Sequence, residues 1–189
     1  MPASRQNLQH KPFLTPIWLT ALAGIAAFAV ALLWAWVWFT ASTTTVIVIR
    51  HAEKETVAAT DPPLSPAGEA RAELLARMFG YARAPGRLDG IYVSDTLRSR
   101  STAAPLASRL GISPTVAPND DSKRLANRAL RENRGKRVMI VGHTNTVPDI
   151  VAALSGRGDI PEMDEKDYGT MYIVTVPRIG RATVLRLNY

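Results

Sequence analysis

Hydrophobic residues fill one long stretch near the start of the chain. Residues 17–39 read IWLTALAGIAAFAVALLWAWVWF, which is 23 positions without a charged side chain. A helix of this length spans about 35 Å, enough to cross a hydrocarbon core of ~30 Å. All four tryptophans lie in it, one near its start and three near its end, where their rings suit the two membrane interfaces. The pattern predicts a tail over 1–16 and a transmembrane helix over 17–39.

A cleaved signal peptide and a buried core helix are the alternatives for this stretch. A signal peptide has a shorter apolar region, and Phe39-Thr40-Ala41 is a poor cleavage site, so an uncleaved single-pass anchor is favoured. Two basic residues lie near each end of the helix and leave its orientation open. The first flank contains no acid, which favours an N-terminus in the cytoplasm. For a bacterial host, we therefore predict an inner-membrane protein with its main domain in the periplasm.

Beyond residue 42 the pattern alternates between short apolar runs and amphipathic segments. Ser65 and Pro66 mark the start of the first helix there, as an N-cap residue followed by a proline at the first helical position. Strands are predicted over 43–49, 88–93, 115–117, 137–141, 171–176 and 182–187, and helices over 66–79, 97–110, 122–133 and 147–154. This alternation predicts an α/β domain over 43–189, a three-layer sandwich with a mostly parallel central sheet.

The charge of the chain narrows the range of partners. The net charge is +7, and only Arg5 and Lys11 precede residue 41, which leaves 21 basic residues against 16 acidic ones. This surplus suits an anionic substrate or an anionic membrane surface. No basic stripe interleaved with aromatic residues is present, so nucleic acid is not an expected partner. The absence of cysteine excludes disulfides, thiol catalysis and cysteine-ligated metals.

The residues whose side chains could take part in catalysis or binding follow three predicted strands. Arg50 and His51 end the first strand, Arg98 comes shortly after the second, and His143 follows the strand over 137–141. Because the carboxyl ends of parallel strands line the ligand crevice of an open α/β sheet, these side chains are expected to meet. Arginine offers a planar fork that matches phosphate oxygens, and imidazole acts as a donor or a nucleophile. The sequence therefore predicts a site for a phosphoryl group.

Three motifs extend this pattern, and they are Arg50-His51-Ala52-Glu53, Ser94-Asp-Thr-Leu-Arg98-Ser-Arg-Ser-Thr102-Ala103 and Val141-Gly142-His143. In order and spacing they resemble the histidine phosphatase superfamily, whose fold is shared with cofactor-dependent phosphoglycerate mutases. The resemblance covers about residues 43–189. The chain has no long insertion, so it is most similar to the small members related to phosphohistidine phosphatases.

The resemblance implies that His51 attacks phosphorus and becomes phosphohistidine, while Arg50, Arg98 and His143 hold the phosphoryl oxygens. It implies no metal and no cofactor. Neighbouring guanidinium charges should lower the pKa of His51 and keep it neutral and nucleophilic. Asn145 and Ser94 are further candidates for substrate contact. For Ser94 and Thr102, capping of the helix over 97–110 is the alternative role, and Thr146 is expected to cap the helix over 147–154.

The sequence departs from the family pattern in two places. Residue 52 is alanine where the family usually has glycine, a small change that should leave the loop intact. Larger relatives supply a general acid from an insertion after the second motif, and this chain has no matching segment. Glu53, Asp120 and Asp121 are the candidates that remain. A missing acid would favour phosphoramidates or acyl phosphates, because their leaving groups need little protonation.

Several functions fit this pattern. A membrane-anchored phosphatase acting on phosphoesters or phosphoramidates is favoured, and a phosphoglycerate mutase-like phosphotransferase is the nearest enzyme alternative. A catalytically weak, membrane-tethered protein that binds phosphate or phosphoproteins is the third. A metal site using both histidines and an acid is disfavoured, because the adjacent arginines would repel a divalent cation. Few residues separate the apolar helix from the first strand, so a membrane-associated phosphate is an expected substrate class. The oligomeric state stays open.

Overall fold

We describe a computed structural model of the chain, which covers residues 16–40, 42–57, 59–83, 86–118 and 120–189. The chain divides into two compact units, Met1–Phe39 and Thr40–Tyr189. A single helix, α1 (Ile17–Thr40), forms the described part of the first unit. Its segment Trp18–Trp38 has a mean hydropathy of 2.0 and is long and apolar enough to cross a membrane. The predicted tail lies outside the described residues, except for its last position.

The second unit contains the predicted order of strands and helices. Its elements are β1 (Thr43–Arg50), α2 (Pro66–Phe79), β2 (Gly90–Val93), α3 (Leu97–Leu110), β3 (Thr115–Val116), α4 (Ser122–Glu132), β4 (Arg137–Gly142), α5 (Thr146–Ser155), β5 (Thr170–Pro177) and β6 (Thr183–Asn188). Each boundary lies within two residues of its predicted position. Ser65 caps α2 as expected, because its side chain accepts a hydrogen bond from the backbone N–H of Gly68.

The six strands form one sheet in the order β3-β2-β4-β1-β5-β6. The first four of these are parallel, and the terminal hairpin of β5 and β6 joins the sheet through an antiparallel pairing of β5 with β1. Side chains of β1 alternate between the two faces, with Val46 and Val48 in one apolar core and Ile47 and Ile49 in the other. Helices α4 and α5 cover the first face and α2 and α3 cover the second. The predicted sandwich with a mostly parallel sheet is therefore confirmed.

The register of the central strands brings the three motifs to one level. Arg50 at the end of β1 lies opposite Gly142 at the end of β4. Val93 at the end of β2 lies opposite Val141 on the other side of β4. The segments that follow these strands therefore leave the sheet side by side at its carboxyl edge, where the ligand crevice of such folds lies.

The segment after β1 is fixed by a close backbone contact with α2. A Cβ added at Gly68 would lie 2.1 Å from the carbonyl oxygen of Glu53, so no larger residue fits there without displacement of the backbone. The N–H of Ser65 donates to the same carbonyl oxygen at 2.9 Å. Gly68 therefore allows α2 to pack directly against the loop that carries His51.

We expect Gly68→Ala to destabilise the domain by about 1–3 kcal/mol, because the methyl group forces the loop away from α2. Gly158→Ala is the matched control, since an added Cβ meets nothing within 4 Å there. Gly158→Ala should change the free energy of unfolding by no more than about 0.5 kcal/mol. Far-UV circular dichroism during chemical unfolding of the detergent-solubilised chain measures both variants. Equal unfolding midpoints for the two variants would contradict this account of the contact.

Candidate active site

His51 is the first residue beyond β1, and its imidazole is almost fully buried. Its backbone N–H donates to the carbonyl of Gly142 at 2.9 Å and extends the pairing of β1 with β4. Ring nitrogen Nδ1 lies 2.8 Å from the carbonyl oxygen of Ala52. A carbonyl only accepts hydrogen bonds, so Nδ1 carries the proton and Nε2 keeps its lone pair. Burial, with the neighbouring histidine and arginine charges, lowers the pKa of His51 to about 3 and leaves the ring neutral near pH 7.

Arg50 is held from the opposite side by the segment over 156–169, which joins α5 to β5. Its Nη1 donates to the backbone carbonyl of Glu165 at 2.6 Å and to those of Asp164 and Asp167 at 3.3 Å. Its guanidinium carbon lies 4.0 Å from the centre of the Tyr168 ring. Nε is buried and has no hydrogen-bond partner among the described residues. These contacts fix the guanidinium of Arg50 beside His51.

Arg98 is oriented by a carboxylate that the sequence analysis did not single out. Asp61 accepts from Nη1 of Arg98 at 3.3 Å and from the backbone N–H of Leu97 at 2.7 Å. The N-cap residue of α3, Thr96, makes no side-chain cap hydrogen bond, so Asp61 fills that role from the loop between β1 and α2. No local pattern marks Asp61, because it lies 37 positions from Arg98 along the chain.

His143 faces His51 across the site, with ring centres 5.1 Å apart. Its Nδ1 lies 3.5 Å from Nη2 of Arg98, and its Nε2 lies 2.9 Å from the hydroxyl of Ser94. Burial, followed by the charges of Arg98 and Arg50, lowers the pKa of His143 to about 4. Both histidines are therefore neutral near pH 7.

Ser94 is not among the residues that line the cavity around His51. Its hydroxyl is buried and bonds to His143 and, at 3.0 Å, to the hydroxyl of Thr96. This places Ser94 behind the His143 ring, where it holds the ring in position. These contacts give Ser94 a positioning role for His143, and a contact of Ser94 with the substrate stays a prediction.

Thr102 joins the His51 loop to the helix that carries Arg98. Its hydroxyl accepts from the backbone N–H of Ala52 at 2.9 Å and donates to the carbonyl of Arg98 at 2.7 Å. Thr102 and Ala52 are both fully buried. The alanine at position 52 thus fits the loop without disturbing it. Thr102 hydrogen-bonds to both the loop and α3 and does not cap the helix.

Five of the predicted residues, Arg50, His51, Arg98, His143 and Asn145, line one cavity of about 740 Å³. Its lining consists of Arg50, His51, Lys54, Arg98, His143, Thr144, Asn145, Pro148, Asp149, Glu162, Met163, Glu165 and Tyr168. Asn145 occupies the N-cap position of α5 and makes no side-chain cap hydrogen bond there. The prediction of Thr146 at that position is wrong by one residue, because the Thr146 hydroxyl accepts from the N–H of His143 at 2.9 Å.

The three predicted acids do not reach this cavity. Glu53 is paired with Arg71 at 2.6 Å. Burial alone would raise the pKa of Glu53, but the hydrogen bonds and charge of Arg71 lower it overall. Asp121 accepts from the N–H of Arg124 at the start of α4, and Asp120 lines a separate depression beside that helix. None of the three lines the cavity around His51, so the structure does not bring them together with that residue, and their role as general acids stays a prediction.

Three other carboxylates line the cavity, namely Asp149, Glu162 and Glu165. Asp149 lies in the first turn of α5, and the two glutamates lie in the segment over 156–169. That segment is fourteen residues long and contains no helix or strand. Loops of this length are often functional. The length of this loop was therefore the feature of the sequence that could have pointed to its two glutamates.

Metal binding finds no ready ligand set in the described part of the chain. No three His, Cys, Asp or Glu side chains come together there in a way that could hold an ion. The two histidines of the cavity lie beside the guanidinium groups of Arg50 and Arg98, whose charges disfavour a divalent cation.

Comparisons with known proteins identify the family pattern. Residues 46–119 match the model of the histidine phosphatase superfamily (branch 1). No protein with a curated description matches the sequence. Among solved structures, the protein histidine phosphatase SixA complexed with tungstate is similar at a TM-score of 0.62 and 21% identity, covering 76% of this chain and 96% of SixA.

Two further solved structures share the fold. A mycobacterial glucosyl-3-phosphoglycerate phosphatase has a TM-score of 0.61 at 15% identity, covering 77% of this chain and 99% of its own. A phosphoserine phosphatase mutant from Entamoeba histolytica, in complex with phosphoserine, has a TM-score of 0.58 at 16% identity, covering 77% of this chain and 96% of its own. The family match over β1 to β3 and this shared fold confirm that the chain resembles the histidine phosphatase superfamily, including its SixA-type members.

Proposed function

We propose that this chain is a membrane-anchored phosphatase that works through a phosphohistidine on His51 without a metal ion. One observation carries the proposal. The bond from Nδ1 of His51 to the carbonyl of Ala52 leaves Nε2 as the only nitrogen of a neutral ring that is available to attack, beside two guanidinium groups. The family match supports phosphatase or phosphotransferase chemistry, and the related SixA structure holds tungstate, an oxyanion shaped like phosphate.

The chemistry proceeds in two steps. The lone pair on Nε2 of His51 forms a bond to phosphorus, and the bond from phosphorus to the leaving group breaks with its electron pair. Phosphoryl transfer needs little beyond an aligned nucleophile and positive groups around the equatorial oxygens, which Arg50 and Arg98 supply. Water then attacks phosphorus, phosphate leaves, and Nε2 regains its lone pair.

His143 is suited to donate to a phosphoryl oxygen because its partner is a hydroxyl. Ser94 can either accept a hydrogen bond from Nε2 of His143 or donate one to it. In the structure Nη2 of Arg98, which only donates, lies 3.5 Å from Nδ1 of His143, so Nδ1 accepts and Nε2 donates to the Ser94 hydroxyl. When a phosphoryl group binds, Nη2 of Arg98 donates to the phosphoryl group instead, Ser94 donates to Nε2, and the proton of the neutral ring lies on Nδ1. His143 and Arg98 then present adjacent donors to the same phosphoryl group.

The leaving group is proposed to need little protonation. Among the described residues, no acidic side chain hydrogen-bonds to His51, and Glu53, Asp120 and Asp121 do not line the cavity. Phosphoramidates and acyl phosphates suit such a site best, because the bond to phosphorus breaks without a strong acid. Asp149, Glu162 and Glu165 are the cavity carboxylates that would assist a phosphoester.

The anchor is proposed to be α1. Its length and apolar composition match a single membrane crossing, and a periplasmic domain follows from the acid-free first flank if the host is a bacterium.

We expect His51→Ala to lower phosphate release at least about a thousandfold, because it removes the nucleophile. His10→Ala, which alters the only histidine outside the cavity motifs, should leave the rate unchanged. The assay uses the detergent-solubilised chain with a metal chelator present and compares phosphoramidate, acetyl phosphate and p-nitrophenyl phosphate. Substantial activity of His51→Ala, or loss of wild-type activity to the chelator, would contradict the mechanism.

We expect His51 and His143 to stay neutral down to about pH 5, since their pKa values are lowered to about 3 and about 4. The unfolded chain gains protons at both rings as pH falls below their ordinary pKa of about 6.5, so stability should decrease from there towards pH 3. NMR titration of ¹⁵N-histidine, assigned with His51→Ala and His143→Ala, measures both rings. Titration of either ring near its ordinary pKa would contradict the burial of that ring.

A further inference from the structure

Five basic residues lie in or directly beside two turns at the end of the sheet opposite the active site, where β1 and β4 begin. The turn before β4 reads RGKR over 134–137, and the turn between β5 and β6 reads PRIGRA over 177–182. Neither turn contains an acidic residue. We call this set the basic edge, and it consists of Arg134, Lys136, Arg137, Arg178 and Arg181. All of them are exposed except Arg137, which is half-buried.

Both turns are fixed beside the first residues of β1. The N–H of Gly135 donates to the hydroxyl of Thr44, and the N–H of Thr45 donates to the carbonyl of Lys136, both at 3.0 Å. On the other side, Thr43 lies opposite Pro177. Each turn therefore lies against the point where the chain enters the sheet.

A depression of about 330 Å³ lies between the two turns. Arg134 and Arg178 both line it, together with Ser42, Thr44 and Gly135, and its apolar wall is formed by Leu130, Val176 and Pro177. Two guanidinium groups above an apolar wall match a phosphate group attached to a hydrocarbon.

One acid hydrogen-bonds directly to the basic edge, since Asp89 accepts from the backbone N–H of Arg137 at 2.8 Å. Glu132, which is close to Arg134 in the sequence, pairs with Arg128 at 2.8 Å. With Asp89 counted, the edge has five basic residues against one acid and keeps an excess of positive charge.

One segment at the opposite edge of the sheet carries the reverse charge. Residues 161–167 read PEMDEKD, with four acids and one lysine, and they border the cavity. The eight residues of β1 separate the two edges by about 26 Å. The basic edge and this acidic segment therefore lie at opposite ends of β1.

We propose that the basic edge binds the phosphate head groups of anionic lipids in the bilayer that holds α1, with the active-site cavity facing the aqueous phase. The proposal rests on the membrane anchoring proposed above. Only residues 41 and 42 separate α1 from β1, which limits the connection to about 11 Å and keeps the start of β1 within reach of the head groups. Basic clusters beside a membrane helix are attracted to anionic lipids, and acidic segments are repelled by them. This arrangement favours a substrate that arrives from water over the lipid phosphate expected from chain length alone.

The absence of cysteine allows a single reporter to be placed on each edge. Ile179→Cys lies between Arg178 and Gly180 and replaces a side chain that is 66% exposed. Lys166→Cys provides the matched reporter at the opposite edge. An environment-sensitive fluorophore on either cysteine of the full chain reports quenching by nitroxide-labelled lipid head groups in nanodiscs. The nanodiscs contain phosphatidylcholine alone or a mixture with phosphatidylglycerol.

We expect the reporter at position 179 to be quenched at least about twofold more in the anionic nanodiscs, and the reporter at 166 to be quenched equally in both. The difference should vanish near 1 M salt, where the screening length falls to about 3 Å. In the 179 background, Arg134→Gln/Lys136→Gln/Arg178→Gln should abolish it, while Arg77→Gln/Arg100→Gln/Lys123→Gln removes equal charge at exposed positions elsewhere and should preserve it. Circular dichroism and phosphatase activity verify that each variant is folded.

Equal quenching at position 179 in both nanodiscs, or quenching that the basic-edge substitutions leave unchanged, would overturn the docking. Flotation with phosphatidylcholine vesicles tests the anchor separately. A chain that floats without charge-dependent quenching retains its anchor and loses the docking, and a chain that does not float loses both. The activity assay with His51→Ala is independent of either result, so failure of the docking and failure of the phosphatase mechanism are distinguishable.

Discussion

The hydrogen bond from Nδ1 of His51 to the carbonyl oxygen of Ala52 is the interaction on which the proposed chemistry of this site depends. It fixes the tautomer of a buried ring and leaves one lone pair, on Nε2, for attack. Its geometry requires the Ala52 peptide to stay in place, and three contacts hold that loop. Thr102 binds the N–H of Ala52, Gly68 packs on the next peptide, and the His51 N–H continues the β1–β4 ladder. The proposed nucleophile is thus oriented mainly by backbone groups.

The positive groups are positioned by three separate parts of the chain. Asp61 holds Arg98 from the β1–α2 loop, Ser94 holds the ring of His143, and the carbonyls of the segment over 156–169 hold Arg50. Those carbonyls are neutral acceptors, so Arg50 is oriented without a carboxylate partner for its Nη1, and its charge remains available to a phosphoryl group. The same segment adds Tyr168 and two glutamates to the cavity wall. The candidate active site and the basic edge also lie in separate places, at opposite ends of β1.

The sequence predicted the features that are set by local pattern and by strand ends. Alternating apolar runs place β1, β2 and β4 within two residues of their observed ends, and parallel strands bring Arg50, Arg98 and His143 to one edge. The pattern could not assign Glu53 or Asp121, because their roles depend on Arg71 and on the start of α4. It also could not place Asp61 or the segment over 156–169. Their contacts join residues far apart in the chain and follow from tertiary packing that no local pattern encodes.

The position of the phosphoryl group on the enzyme tests this account most directly. The full chain would be mixed with phosphoramidate, quenched in alkaline denaturant during turnover, digested, and the phosphopeptide examined by ³¹P NMR against both phosphohistidine isomers. The account predicts phosphate on Nε2 of His51, because Nδ1 is bound to Ala52. Phosphate on Nδ1, phosphate on another residue, or turnover without any phosphoenzyme would contradict it.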